Sequence, residues 1–110
     1  MKLSSLIDKF PKLYENIGFF ECGEGWYDLL YDLSVKLEPF DVIVLQVKEK
    51  YGGLRFYITG GSDEVFDLIT ETENKSYSIC MTCGSEGKLR KHNGWSITLC
   101  DKCDSIRHKS

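Results

Sequence analysis

Four of the five cysteines fall into two C-x-x-C pairs, Cys80-Met81-Thr82-Cys83 and Cys100-Asp101-Lys102-Cys103, separated by the sixteen residues Gly84 to Leu99. That spacing is expected of a four-cysteine zinc site. A tetrahedral ion needs four soft donors at about 2.3 Å, and a tight turn presents two thiolates from positions i and i+3. Gly84, directly after the first pair, has no Cβ to obstruct the turn beneath a metal. The expected ligands are therefore Cys80, Cys83, Cys100 and Cys103, with Zn²⁺ as the cofactor; iron suits the same four sulfurs. Four thiolates leave no open coordination position, so the predicted role of the metal is to hold a fold together.

Other chemistry is harder to find. The sequence contains no G-x-S-x-G, P-loop, H-E-x-x-H or deaminase-type H-x-E motif. Its two histidines have bland settings, His92 in an expected turn and His108 in an expected tail. His108 is a spare ligand beside four sufficient cysteines. Cys22, with no histidine near it in sequence, reads as a semi-buried thiol. No enzyme activity is expected.

The chain has 110 residues, 42% of them hydrophobic and 13% aromatic, enough for a real core. No apolar run reaches the roughly 18 residues of a membrane span, and the opening Met1-Lys2-Leu3-Ser4-Ser5 lacks a signal-peptide core. The expected location is the cytoplasm, where reducing conditions keep thiols available to metals. Charge is uneven. Residues 1–78 carry 8 basic and 14 acidic side chains, net −6, whereas residues 79–110 carry 6 basic and 3 acidic, net +3. Four thiolates and one Zn²⁺ add −2, which lowers the second segment to about +1, so no broad phosphate-binding footprint is evident.

The elements that must position these groups read as α+β. A helix is expected to start at Ser4-Ser5, with a serine at its cap and Leu3, Leu6, Ile7 and Phe10 on one face; Pro11 ends or restarts it, and Leu13, Tyr14 and Ile17 continue the apolar face to Gly18. Trp26, Leu29, Leu30, Leu33 and Leu37 form one stripe of a second helix closed by Pro39. Asp41 to Lys50 and Gly53 to Gly60 read as two strands of a hairpin, followed by a third helix capped by Ser62 with Val65, Leu68, Ile69 and Thr72 inward. Lys88–Lys91 and Trp95–Leu99 are the arms of a ribbon turning at His92-Asn93-Gly94. Two units result: 1–78, an α+β domain, and 79–110, a zinc ribbon. A lone hairpin is marginally stable, so its sheet should be extended by Phe19–Cys22, by the ribbon arms or by a second copy of the chain.

With Gly52-Gly53 as a two-residue loop, Lys50 pairs with Arg55, Lys48 with Tyr57 and Val47 with Ile58. Ile43, Leu45, Val47, Leu54, Phe56 and Ile58 then face the core; Gln46, Lys48, Lys50, Arg55, Tyr57 and Thr59 face outward. Opposed cations are mutually destabilising, and an anion should compensate them. The chain's own Glu24, Asp28 or Asp32, or plain screening by solvent, is the bland answer. A ligand is the other: Arg55 offers a fork for phosphate or carboxylate, Lys48 and Lys50 add charge, and Tyr57 a stacking face.

Gly25-Trp26-Tyr27, the central stretch Val47 to Tyr57 (VKEKYGGLRFY) and the closing Cys80-x-x-Cys83-Gly84 to Gly94-Trp95-x-x-Thr98-Leu99-Cys100-x-x-Cys103 resemble a family of small uncharacterised proteins of bacteriophages and bacteria. The resemblance runs from about Gly25 onward and implies a context, that of an accessory or anti-defence protein in a host cytoplasm, without assigning an activity. Two functions follow as expectations. One is a non-catalytic module that binds a host protein or an anionic, nucleotide-like molecule through Lys48, Lys50, Arg55 and Tyr57. The other is a nucleic-acid-binding ribbon acting through Lys88, Arg90, Lys91, Trp95, Arg107, His108 and Lys109.

Overall fold

The computed structural model describes residues 2–108, the last two of these by backbone alone. It is α+β, with four helices, two two-stranded antiparallel sheets and a cysteine cluster near the C-terminus.

Helix α1 (Ser5–Lys9) is shorter than the periodicity predicts. Pro11 disfavours helical backbone at the residue before it, and Phe10 accordingly leaves the helix at φ −131°, ψ 62°. The chain continues as turns, yet Leu3, Leu6, Phe10, Leu13, Tyr14 and Ile17 are all buried, so the apolar pattern is satisfied without a continuous helix. Ser4 sits at the cap position but makes no side-chain capping bond. A 3₁₀ turn (Glu24–Trp26) leads into α2 (Tyr27–Leu37); the expected stripe begins in that turn with Trp26, continues along α2 as Leu29, Leu30, Leu33 and Leu37, and is buried throughout. Asp32 and Lys36 pair across its outer face at 3.0 Å.

Strands β1 (Val44–Lys50) and β2 (Gly53–Ile58) form the first hairpin, in a register that differs from the expected one. The loop is Tyr51-Gly52, so Lys50 opposes Gly53, Lys48 opposes Arg55 and Val47 opposes Phe56. Moving a two-residue loop by one position changes partners without exchanging faces, and Lys48, Arg55 and Tyr57 still point away from the core. An irregularity between Val44 and Gln46 does exchange faces locally: Val44 is buried, and Leu45, expected inside, turns outward.

Both edges of this hairpin are covered by the chain itself. On the β1 side, Val44 N–H donates to Leu13 O (2.9 Å), and Glu21 bridges in parallel, its N–H donating to Val47 O (2.9 Å) and its carbonyl accepting from Glu49 N–H (3.0 Å). Of the expected strand over Phe19–Cys22, one residue pairs. On the β2 side, α3 (Asp63–Ser76) supplies side chains in place of a strand: Ser76 Oγ accepts from Leu54 N–H (2.9 Å) and a Glu73 carboxylate oxygen from Phe56 N–H (3.0 Å). Ser62 caps α3 by accepting from Val65 N–H at 3.4 Å.

The second sheet joins β3 (Lys88–His92) and β4 (Trp95–Leu99) through Asn93-Gly94; His92 is the last residue of β3 and pairs with Trp95, outside the turn. The expected C-terminal tail is a helix, α4 (Asp101–His108), begun by Asp101 and Asp104, whose charges suit the positive N-terminal end. Residues 79–103 pack directly on the first unit. Trp26 Nε1–H donates to Ile79 O (2.9 Å), Gly25 N–H to Met81 O (2.8 Å), and the buried Thr98 hydroxyl to Gly52 O (2.7 Å).

Candidate metal centre and hairpin face

The four sulfurs of Cys80, Cys83, Cys100 and Cys103 lie within 4.8 Å of one another, so the structure gathers every ligand expected from the spacing. Cys83 and Cys100 Sγ are 3.6 Å apart. Donors about 2.3 Å from a tetrahedral centre are separated by about 3.8 Å, whereas a disulfide would bring two sulfurs to about 2.05 Å, so the donor set fits a metal ion.

Each pair is presented by its own local device. The first knuckle turns on Gly84, at φ +84°, with Gly84 N–H closing onto Cys80 O at 2.9 Å. Its base is tied to the ribbon by Cys80 N–H to Ser85 O (2.7 Å) and Met81 N–H to Thr98 O (3.0 Å). The second knuckle is a helix start. Cys100 follows β4 immediately, Cys103 lies in the first turn of α4, and Cys103 N–H points to Cys100 Sγ at 3.4 Å, as a capping group would receive it. Two glycines explain how closely the rest of the molecule approaches. A Cβ on Gly25 would stand 2.3 Å from Cys80 O and 2.7 Å from Gly84 N, and one on Gly23 would stand 2.2 Å from Met81 O. The Gly25-Trp26 pair is thus the seat of the first knuckle.

Electrostatics within the cluster is that of like groups sharing a small volume. The Ser85 side chain and backbone amide pull Cys83 down to about 6. Burial works to raise Cys80, but the backbone amides of Cys100, Cys83 and Thr82 outweigh it and lower it. Cys103 is pushed up to about 12 by its contact with Cys100 and by burial. Cys83 and Cys80 ionise easily because hydrogen bonds favour their thiolates, and Cys103 resists because of its hydrogen bond with Cys100 and burial; a bound dication would favour the thiolate form throughout the cluster. Cys22 stands apart. It packs against the main core, and burial, then the charges of Glu24 and Glu49, push it up to about 12, the setting of an inert thiol.

Lys48, Lys50, Arg55 and Tyr57 share the outer face of the first hairpin. Lys48 and Arg55 are directly opposed. Lys48 Nζ sits over the Tyr57 ring at 5.9 Å from its centroid, and Lys50 Nζ over Tyr51 at 5.5 Å. Arg55 Nη1 donates to Leu54 O (3.0 Å) and to Tyr77 Oη (3.4 Å). Among the described residues none of these three cations forms an ion pair. Of the carboxylates expected to compensate them, Glu24 accepts from Leu3 N–H, Asp32 pairs with Lys36, and Asp28 lines a cleft with Cys83 and Gly84; the Tyr77 hydrogen bond first, and also the charge of Glu73, raise the Arg55 pKa.

The basic arm of the ribbon is different. Arg90 bonds Asp101 (2.6 Å), Asp104 (3.0 Å) and Leu99 O (3.0 Å), and His92 Nε2 lies 2.9 Å from Asp104. Arg90 therefore stitches β3 to α4 beside the second knuckle and is withdrawn from any cationic surface. Trp95 is exposed, while Lys109 and the side chains of Arg107 and His108 lie outside the described residues. Sequence reasoning missed Asp101 and Asp104 as Arg90's partners; acids heading a helix, followed by Arg107 and His108, were the available signal.

No family model matches the chain, and searches of curated proteins and of solved structures likewise return no match. No helix among the described residues is long and apolar enough to cross a membrane.

Proposed function

We propose that this protein is a non-catalytic binding module, in which Cys80, Cys83, Cys100 and Cys103 hold a structural Zn²⁺ and the outer face of the first hairpin engages an anionic partner through Lys48, Lys50, Arg55 and Tyr57. The observation that carries this reading is the set of three cations on one sheet face without an ion-paired carboxylate among the described residues. Keeping like charges opposed costs some tenths of a kcal/mol, and an anionic partner removes that cost. The face is the broad side of a hairpin, a shape better suited to a macromolecular surface than to a sequestered small molecule. A host protein in a phage or bacterial setting fits the family resemblance. The nucleic-acid reading is the weaker one, because Arg90, its central cation, already has two carboxylates.

Native mass spectrometry of gently purified protein tests both parts. One Zn²⁺ per chain is expected, and a colourless protein, since a four-sulfur iron site absorbs visible light. A co-purifying partner should be lost in Arg55→Ala with zinc content unchanged. Retention of that partner by Arg55→Ala would overturn the assignment of the face.

A further inference from the structure

Next to the cationic band lies an apolar groove of about 510 Å³, walled by Ile17, Phe19, Leu45 and Tyr57, with Gln46 and Glu21 at its rim. Phe19 is 70% exposed, Leu45 49% and Tyr57 43%. Leu45 is there because of the irregularity in β1: in regular alternation it would face the core, where Val44 now sits fully buried. Bulges re-aim side chains, and this one places a leucine in water beside an exposed phenylalanine.

The groove and the cations are continuous, because Tyr57 forms a wall of one and carries Lys48 of the other over its ring. Glu21, the carboxylate at the rim, is engaged by Gln46 Nε2–H at 2.8 Å. Together they make one surface with an apolar socket at one end and Lys48 and Arg55 beside it. The aliphatic Ile17 and Leu45 stand beside the aromatic Phe19 and Tyr57, a lining that takes an aliphatic or aromatic side chain, with a stacked base as the competing occupant that the oligothymidylate arm below tests.

Resting on the binding role assigned above to this face, we propose that its partner is a protein segment carrying acidic side chains next to an apolar anchor. The anchor enters the Phe19, Leu45, Tyr57 groove and the acids meet Lys48 and Arg55. Such interfaces take most of their affinity from a few buried anchors, while charge complementarity sets orientation and encounter rate.

A yeast-displayed random peptide library, panned on the metal-loaded full chain, is the probe. The expected winners carry Asp or Glu beside Leu, Phe or Trp. Leu45→Ser and Phe19→Ser should each weaken the winning peptide about tenfold or more, with melting temperature and zinc content unchanged, since both side chains are exposed. Lys48→Glu with Arg55→Glu should weaken it at least as much and flatten its salt dependence. Loss in the charge variant alone, with both apolar variants binding as wild type, overturns the socket but leaves the cationic face. Unchanged binding in all variants overturns both. Winners without acids, or no enrichment over an uncoated control, also overturn the proposal, as does displacement of the peptide by single-stranded oligothymidylate at equal concentration.

Discussion

The molecule contains two β-hairpins with the same turn and different means of support. Tyr51-Gly52 and Asn93-Gly94 adopt nearly the same positive φ values, 55° and 87° in the first and 51° and 84° in the second, as a type I′ turn requires. The first hairpin lies on a core to which Val44, Val47, Leu54 and Phe56 all contribute, and its edges are closed by Glu21, Ser76 and Glu73. The second owns a buried cluster of Cys80, Ile97 and Leu99. Its strands are otherwise largely polar, so a metal held by the four cysteines would supply residues 79–103 with what the first hairpin obtains from apolar burial. One turn geometry thus serves two folding strategies, and the contrast can be tested at both ends.

The largest effect should come from removing the metal. Structural zinc contributes on the order of 10 kcal/mol to small domains, far more than the second hairpin's apolar side chains can replace. Chelation, or Cys83→Ser, should abolish cross-strand amide protection between Arg90 and Ile97 while that between Val47 and Phe56 persists; hydrogen exchange followed by NMR reads both. An unchanged melting curve in chelator would contradict the contrast. The converse comes next. Phe56→Ala, in the first hairpin, should cost about 3–5 kcal/mol, measured as a fall in urea midpoint, and should take the second hairpin down with the first.

A smaller effect probes the junction. Gly25→Ala places a Cβ 2.3 Å from Cys80 O, backbone that can yield only by moving the knuckle. A loss of about 1–3 kcal/mol is expected, with weaker retention of metal in a chelator competition. Smallest is the difference between the turns. Gly94→Ala meets nothing within 4 Å and should cost about 1 kcal/mol for backbone strain alone. Gly52→Ala adds contacts with Leu89 Cδ1 at 2.4 Å and Ile97 N at 3.2 Å, so it should cost more by up to about 1 kcal/mol. Equal costs in paired thermal melts would mean that the first turn does not press on the ribbon as described.

The parts legible in the sequence were those set by spacing and period: the four ligands, the α2 stripe, the inward face of α3 and the outward face of Lys48, Arg55 and Tyr57. The misplaced turn shows what was hidden. Gly52-Gly53 looks like a loop because both residues are glycine, yet Gly53 is a strand residue whose hydrogen faces the Tyr77 ring; a Cβ there would lie 2.3 Å from it. The reason for that glycine comes from a residue far along the chain. The outward turn of Leu45, the edge bonds from Glu73 and Ser76, and the pairing of Arg90 with α4 share this cause: each depends on a neighbour that sequence proximity does not supply.

The sulfurs of the cluster also differ in their access to solvent. Cys83 is exposed, Cys100 and Cys103 are half-covered, and Cys80 is buried, its carbonyl oxygen lying close to Gly25. A chelator competing for a metal held by these four cysteines would therefore be expected to meet Cys83 first and Cys80 last. Faster metal loss in Gly25→Ala, followed by stopped-flow chelator competition, would then make the rate of exchange a report on the junction between the two units.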